Sequence, residues 1–188
     1  MNLYMYTGTV GYPNGAPNIV DIAVSLSREC RYAGNGVHWW PVALHSFVVC
    51  DLLPIELRLH GLLHDAAECV LGDVPKPAKS LAIEEMEKQI TSAIYAGLKL
   101  PMPTIEQQDP IHISDTRALH GEAYTVGTKA LRNIYPKDAR AAELVEFYRK
   151  MYPVQDCVDP EGKCVKEFLY RFERYKALGG FNVASEPQ

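Results

Sequence analysis

The chain has 188 residues, of which 47% are apolar and 22% charged, enough for one globular domain with a sizeable core. A formal net charge of −4 argues against a broad nucleic-acid-coating surface, although a local basic pocket is compatible with it.

Residues 1–18 are rich in Gly, Pro and Asn and read as an N-terminal arm. IVDIAVSLSREC, residues 19–30, sets Ile19, Ile22, Ala23, Leu26 and Cys30 on one helical stripe. After the break YAGNG, Pro41 suits the first position of a helix reaching Leu53. Pro54 opens a further helix to Val70, closed by Gly72, and DVPKPAKS follows as a proline-punctuated loop. Leu81, Ile83, Met86, Ile90, Ala93, Ile94 and Leu98 predict a helix over 81–99. Beyond the break at 101–103, helices are predicted over 110–127, 136–151 and 163–178, with a flexible tail over 179–188. Period-two alternation is scarce. The expectation is an all-α, single-domain protein over 1–188, a bundle of about seven helices.

The most apolar run, WWPVALHSFVVCDLLPI, contains His45 and Asp51 and is too short and polar to span a bilayer. The N-terminus lacks the basic start and unbroken apolar run of a signal peptide. Five cysteines (Cys30, Cys50, Cys69, Cys157 and Cys164) form no CxxC pair and read as buried, reduced thiols. A cytoplasmic protein with no membrane partner is expected.

Residues 60–73, HGLLHDAAECVLGD, place two histidines and three acids in otherwise apolar helical sequence. Unpaired burial of such groups is costly. At four-residue spacing His60, His64 and Glu68 share one face, and Asp65 projects about 100° from His64. Imidazole and carboxylate together suit a borderline divalent metal. A zinc-protease reading fails, because the residue after His60 is Gly61 where glutamate is required. An isolated His-Asp pair would read as a satisfied core contact, but its surroundings say otherwise.

LLHDAAECVLGDVPKP resembles the signature of the HD-domain metal-dependent phosphohydrolases. His45 in WPVALHSFVVC matches that family's earlier ligand, and Asp115 in ISDTRALHGEAY matches its distal aspartate. Over residues 4–125 the ordered set is similar to a branch containing bacterial 5′-deoxynucleotidases and phage dATP triphosphohydrolases. The resemblance implies an HD-domain helical bundle and one divalent metal ion (Zn, Co, Mn, Fe or Ni) held by His45, His64, Asp65 and Asp115. Only His112 lies between the His-Asp pair and the distal aspartate, so a second-metal set is incomplete. Additional Mg²⁺ arriving with substrate phosphates is compatible with this.

The resemblance also implies roles around the metal. Glu68 would position or deprotonate the attacking water beside the ion, with Asp65 part of the catalytic centre. Arg31 and Tyr32 would contact phosphate and sugar, since Arg can bind two phosphate oxygens at once. Arg28 is a weaker candidate, as is Lys76 relative to Lys79, the match to a phosphate-binding lysine. Asp73 would recognise the sugar or order the site. Trp40 or Trp39 reads as a core or dimer contact, and His60 and His120 as facing the bundle or its surface.

The expected substrate is a deoxynucleotide, not a nucleic-acid polymer, and self-association follows from the resemblance alone. Within that reading, triphosphate release from a dNTP, with dATP foremost, is favoured by the PKPAK lysines. The alternatives are a 5′-deoxynucleotidase acting on dNMPs and a non-catalytic nucleotide sensor.

Overall fold

The computed structural model describes residues 2–11, 15–153 and 162–179. Cys157 and the predicted tail beyond 179 lie outside the described residues, and of Lys76 only the backbone is described. The described chain is predominantly α-helical, as expected: α1 (Ile19–Leu26), α2 (Val42–Leu52), α3 (Arg58–Leu63), α4 (Glu68–Leu71), α5 (Leu81–Gly97), α6 (Ile105–Thr125), α7 (Lys129–Ile134), α8 (Ala139–Met151) and α9 (Lys163–Leu178).

Helix α2 is the axis of the fold. Every residue from Val42 to Cys50 is buried, because α3, α6, α8 and α9 surround it. Its sequence is apolar nearly all round, as a helix enclosed on all sides requires. Ile22, Leu26, Phe47, Leu62, Ile94, Val145 and Phe168 belong to one continuous core drawn from α1, α2, α3, α5, α8 and α9. Two glycines set the closest helix approaches. A Cβ on Gly61 would meet Leu53 Cδ1 at 2.5 Å, and one on Gly121 would meet the backbone carbonyl carbon of Ala141 at 2.5 Å. The first brings α3 against α2; the second brings α6 against α8.

The structure corrects several boundaries. The N-terminal arm contains an antiparallel hairpin, β1 (Asn2–Met5) with β2 (Gly8–Gly11). It is fastened to α1 by Asp21, whose carboxylate accepts from the Thr7 amide at 2.7 Å and its hydroxyl at 2.9 Å. Helix α1 stops at Leu26, so Cys30 is not on its stripe but bridges Pro41 in extended chain. Pro41 caps α2 in an extended conformation and is not its first helical residue. Helix α6 begins at Ile105, five residues before Pro110, because Thr104 and Gln107 form a reciprocal capping box. Helix α7, capped by Thr128, was not anticipated; with it and the division of 54–71 into α3 and α4, the nine helices described exceed the seven expected.

Cys30, Cys50 and Cys69 are free thiols, and Cys50, Cys69 and Cys164 are buried. No helix among the described residues is long and apolar enough to cross a membrane.

Candidate metal centre

The helix predicted from Pro54 to Val70 breaks where the chemistry lies. A short 3₁₀ turn over Ile55–Leu57 leads into α3, which ends at Leu63. Tight turns then carry the chain to α4: Ala66 N–H bonds Leu63 O at 3.0 Å, and Glu68 N–H bonds Asp65 O at 3.0 Å. Tightening changes which residues share a face. His60 therefore does not line up with His64 and Glu68. Its ring stacks on Tyr95, with Nδ1 3.2 Å from the tyrosine hydroxyl, in accord with the expected bundle position.

Four atoms converge at the break. His45 Nε2, from the middle of α2, lies 3.3 Å from His64 Nε2 and 3.1 Å from Asp115 Oδ1 of α6. Asp65 Oδ2 lies 3.1 Å from His64 Nε2 and 3.6 Å from His45 Nε2. His64 Nε2 to Asp115 Oδ1 is 3.9 Å. Around an ion about 2.1 Å from each ligand, adjacent ligand atoms stand about 3.0–3.4 Å apart. His45, His64 and Asp115 offer one ligand atom each within 4.8 Å of one another, while Asp65 sits against both histidines and also pairs with Arg31 Nη1 at 3.6 Å.

The hydrogen bonds on the far side of each ring fix what these atoms are. His45 Nδ1 is 2.6 Å from Glu122 Oε1, and His64 Nδ1 is 2.8 Å from the Gly61 carbonyl. Both partners are acceptors, so each Nδ1 carries the proton and each neutral ring turns an Nε2 lone pair inward. Two lone pairs and two carboxylate oxygens then face one point. Such a set could hold a cation. Without one, a proton substitutes. Burial and Arg31 push the His45 imidazole down, but Glu122 and Asp115 outweigh them and raise it to about 10. Burial would raise Asp65, yet the two histidines hold it near 2, and Asp115 is likewise depressed by His45, against its own burial.

Glu68 opens α4 and is 6% exposed. Its Oε2 has no hydrogen-bond partner among the described residues. Burial, then Asp65 and Asp73, push the carboxyl up to about 10, against opposing pulls from Arg31 and His45.

Arg31 and Tyr32 stand at the same end of the site. Tyr32 has φ 61°, in the left-handed region where a bulky residue costs on the order of 1–3 kcal/mol. Asp73 holds it there, with Oδ2 accepting the Tyr32 amide at 3.1 Å, and Glu122 Oε2 accepts the Tyr32 hydroxyl at 2.8 Å. Asp73 thus contacts Tyr32 through the tyrosine backbone amide. Lys79 lies in the loop before α5, and its Nζ is paired with Glu87 Oε1 at 2.6 Å. His112 is exposed. Trp40 is 1% exposed and donates its indole N–H to Glu122 at 2.8 Å, a core contact.

Glu122 is the residue sequence reading missed. Its signal was present, since it follows Asp115 by seven residues, two helical turns along the same face of α6.

No family model matches the chain. It is 41% identical over 85 residues to the uncharacterized protein YfdR of Escherichia coli K12, covering 44% of this chain and 48% of that protein. It is 35% identical over 95 residues to an uncharacterized protein of Rhodobacter capsulatus, again covering 44% and 48%. The chain spans about half the length of the curated relatives it matches. Among solved structures, the cyanophage S-2L HD phosphohydrolase DatZ, bound to dA and one catalytic Zn²⁺ ion, is 19% identical. The TM-score is 0.49 over 83% of this chain and 95% of that one.

Proposed function

We propose that this protein is a metal-dependent phosphohydrolase of deoxynucleotides with one divalent ion held by His45, His64, Asp65 and Asp115. The observation that carries the reading is the convergence of two imidazole lone pairs and two carboxylate oxygens on one point. Both rings are locked from behind by acceptors. An ion bound there supplies Lewis acidity toward a phosphoryl oxygen and acidifies water.

The chain's own groups do the rest. Arg31 brings the guanidinium beside Asp65, on the ligand cluster, where it can hold a phosphate oxygen. Glu68 Oε2, buried and without a hydrogen-bond partner among the described residues, takes the proton of the attacking water. Its burial makes it a strong proton acceptor once ionised, and cationic charge in the cluster stabilises that ionised form. Tyr32, strained and pinned by Asp73 and Glu122, presents a rigid wall for the sugar.

The bond broken is the finer part of the proposal. Triphosphate release from a dNTP, dATP foremost, draws support from the lysine-bearing loop over 76–79, where Lys79 feels the charges of Glu68 and Asp65. A second reading, phosphate removal from a dNMP, is favoured by the Lys79–Glu87 pair, which leaves Arg31 as the cation at the ligand cluster. Metal analysis combined with chromatography of dATP and dAMP reactions separates them. Inorganic triphosphate from dATP supports the first and orthophosphate from dAMP the second. No release from any deoxynucleotide by metal-loaded protein would sink both and leave a nucleotide sensor.

A further inference from the structure

Glu122 is fully buried, and its two oxygens are divided between two tasks. Oε1 accepts from Trp40 Nε1 at 2.8 Å and meets His45 Nδ1 at 2.6 Å. Oε2 accepts from Arg31 Nε at 3.1 Å and from the Tyr32 hydroxyl at 2.8 Å. One oxygen thus faces a metal-ligand histidine and the other faces the arginine–tyrosine pair. The four donors come from the loop before α2 and from α2 itself, while the acceptor comes from α6.

We infer that Glu122 is a positioning residue that sets the metal-binding tautomer of His45 through one oxygen and aims Arg31 through the other, tying metal affinity to anion affinity. The inference rests on the metal-dependent reading above. Its physical basis is the donor inventory. Arg31 Nε–H and Trp40 Nε1–H can only donate, so each oxygen of Glu122 has one partner that tolerates nothing but an acceptor. A carboxylate satisfies both sides at once. An amide cannot, because its nitrogen must face either Trp40 and His45 or Arg31 and Tyr32. Turned toward His45, the amide donates to Nδ1 and drives the proton onto Nε2, where it blocks the metal. Turned the other way, it repels the Arg31 N–H and releases the guanidinium from its bearing on the phosphate position. Carboxylates behind metal-bound histidines commonly contribute 10- to 100-fold in metal affinity.

The test uses the full chain, with Co²⁺ as the metal probe and inorganic phosphate as the anion probe. Co²⁺ affinity is measured by chelator competition, phosphate affinity by its effect on the Co²⁺ spectrum, and folding by thermal melting of the metal-free protein. Glu122→Gln is expected to melt as a folded protein and to lose about 10-fold or more in either Co²⁺ or phosphate affinity. Glu122→Asp, which keeps both oxygens, is expected to recover part of the lost affinity. A folded Glu122→Gln protein with both affinities within about twofold of wild type would overturn the inference, whatever its melting temperature. Should Glu122→Gln not fold, ¹⁵N spectra of the Zn²⁺-loaded wild type decide. Metal on His45 Nε2 with the proton on Nδ1 supports the assignment, and metal on Nδ1 overturns it. A wild-type protein that takes up no Co²⁺ removes the underlying reading as well, whereas wild-type uptake with an unaltered variant removes this inference alone.

Discussion

His60 and His64 are four residues apart, yet they serve different neighbourhoods: His64 Nε2 points to His45 at 3.3 Å, and the His60 ring stacks on Tyr95 at 5.8 Å. The break after Leu63 divides them. Only one of the two is available to a metal.

Substitutions should reproduce that division. His64→Ala and Asp65→Ala are expected to abolish both bound metal and hydrolysis, whereas His60→Asn should keep full metal stoichiometry. Losing the Tyr95 contact should cost about 1 kcal/mol, or about 2–4 °C in Tm for a chain of this size. Elemental analysis of the three purified variants provides the check. Full occupancy in Asp65→Ala would strike that residue from the ligand set.

Glu68 should separate metal binding from turnover. Among the described residues its Oε2 makes no hydrogen bond that a substitution would break. Glu68→Gln is expected to retain metal and fold while kcat drops on the order of 100-fold or more. Steady-state kinetics with near wild-type kcat would remove Glu68 from the reaction.

Metal and protons should compete. In the metal-free protein the His45 imidazole is raised from its ordinary 6.5 to about 10. A raised folded-state value means that its contribution to stability is fully present below about pH 6.5 and is lost as pH rises through about 10. Glu68, raised from 4.5 to about 10, acts in the same direction above about pH 4.5. Metal-free protein should therefore melt at progressively lower temperature as pH climbs from 6.5 to 10. Co²⁺ affinity should rise over the same interval, because binding expels the proton. Calorimetric melts and chelator titrations at several pH values measure both slopes, and a metal affinity independent of pH would contradict this account.

Within the proposed function, Lys79 separates the two candidate substrates. To reach an outer phosphate it must leave Glu87, 2.6 Å away. Lys79→Ala should then depress dATP turnover far more than dAMP turnover. Equal effects on the two, read by product chromatography, would favour the monophosphate reading.

A second polar cluster supports the fold without touching the metal centre. Asp51 of α2 accepts from the Tyr148 hydroxyl and pairs with Arg171 of α9 at 3.2 Å, while the Arg171 guanidinium lies 4.7 Å from the Phe47 ring centroid. Arg171→Ala leaves Asp51 with the Tyr148 hydroxyl and with Arg58 at 3.8 Å but removes an ion pair and the contact with the Phe47 ring, and should cost about 1–2 kcal/mol. Denaturant melts should register that loss, with metal stoichiometry unchanged.

The helices were legible because periodic apolar positions over long segments, as in α5 and α9, follow from burial on one face. The convergence of His45, His64, Asp65 and Asp115 was legible for a different reason: their order along the chain resembles a known arrangement, in which a metal would need several donors. The break at His64–Ala67 was not, since nothing in LLHDAAE forbids a continuous helix. It arises from tertiary packing around the ligands. The hairpin was hidden because Leu3, Met5 and Val10 are its only partly buried apolar side chains among those described, too few to impose a pattern. Glu122 was overlooked because its donors, Arg31, Tyr32, Trp40 and His45, lie 77 or more residues away in sequence.

Gly121 sits beside Glu122, where α6 touches the α8 backbone so closely that a methyl group has no room. Asp115 and Glu122 ride on the same helix, one carboxylate meeting His45 Nε2 and the other His45 Nδ1. Evolution therefore cannot tune the two independently by sliding α6. Any drift of the helix along or away from α8 shifts both carboxylates together. The seat at Gly121, together with the packing of α6 on α2, sets the spacing between these carboxylates and His45, so variation in the α6–α8 seam would reshape the proposed metal site from outside it.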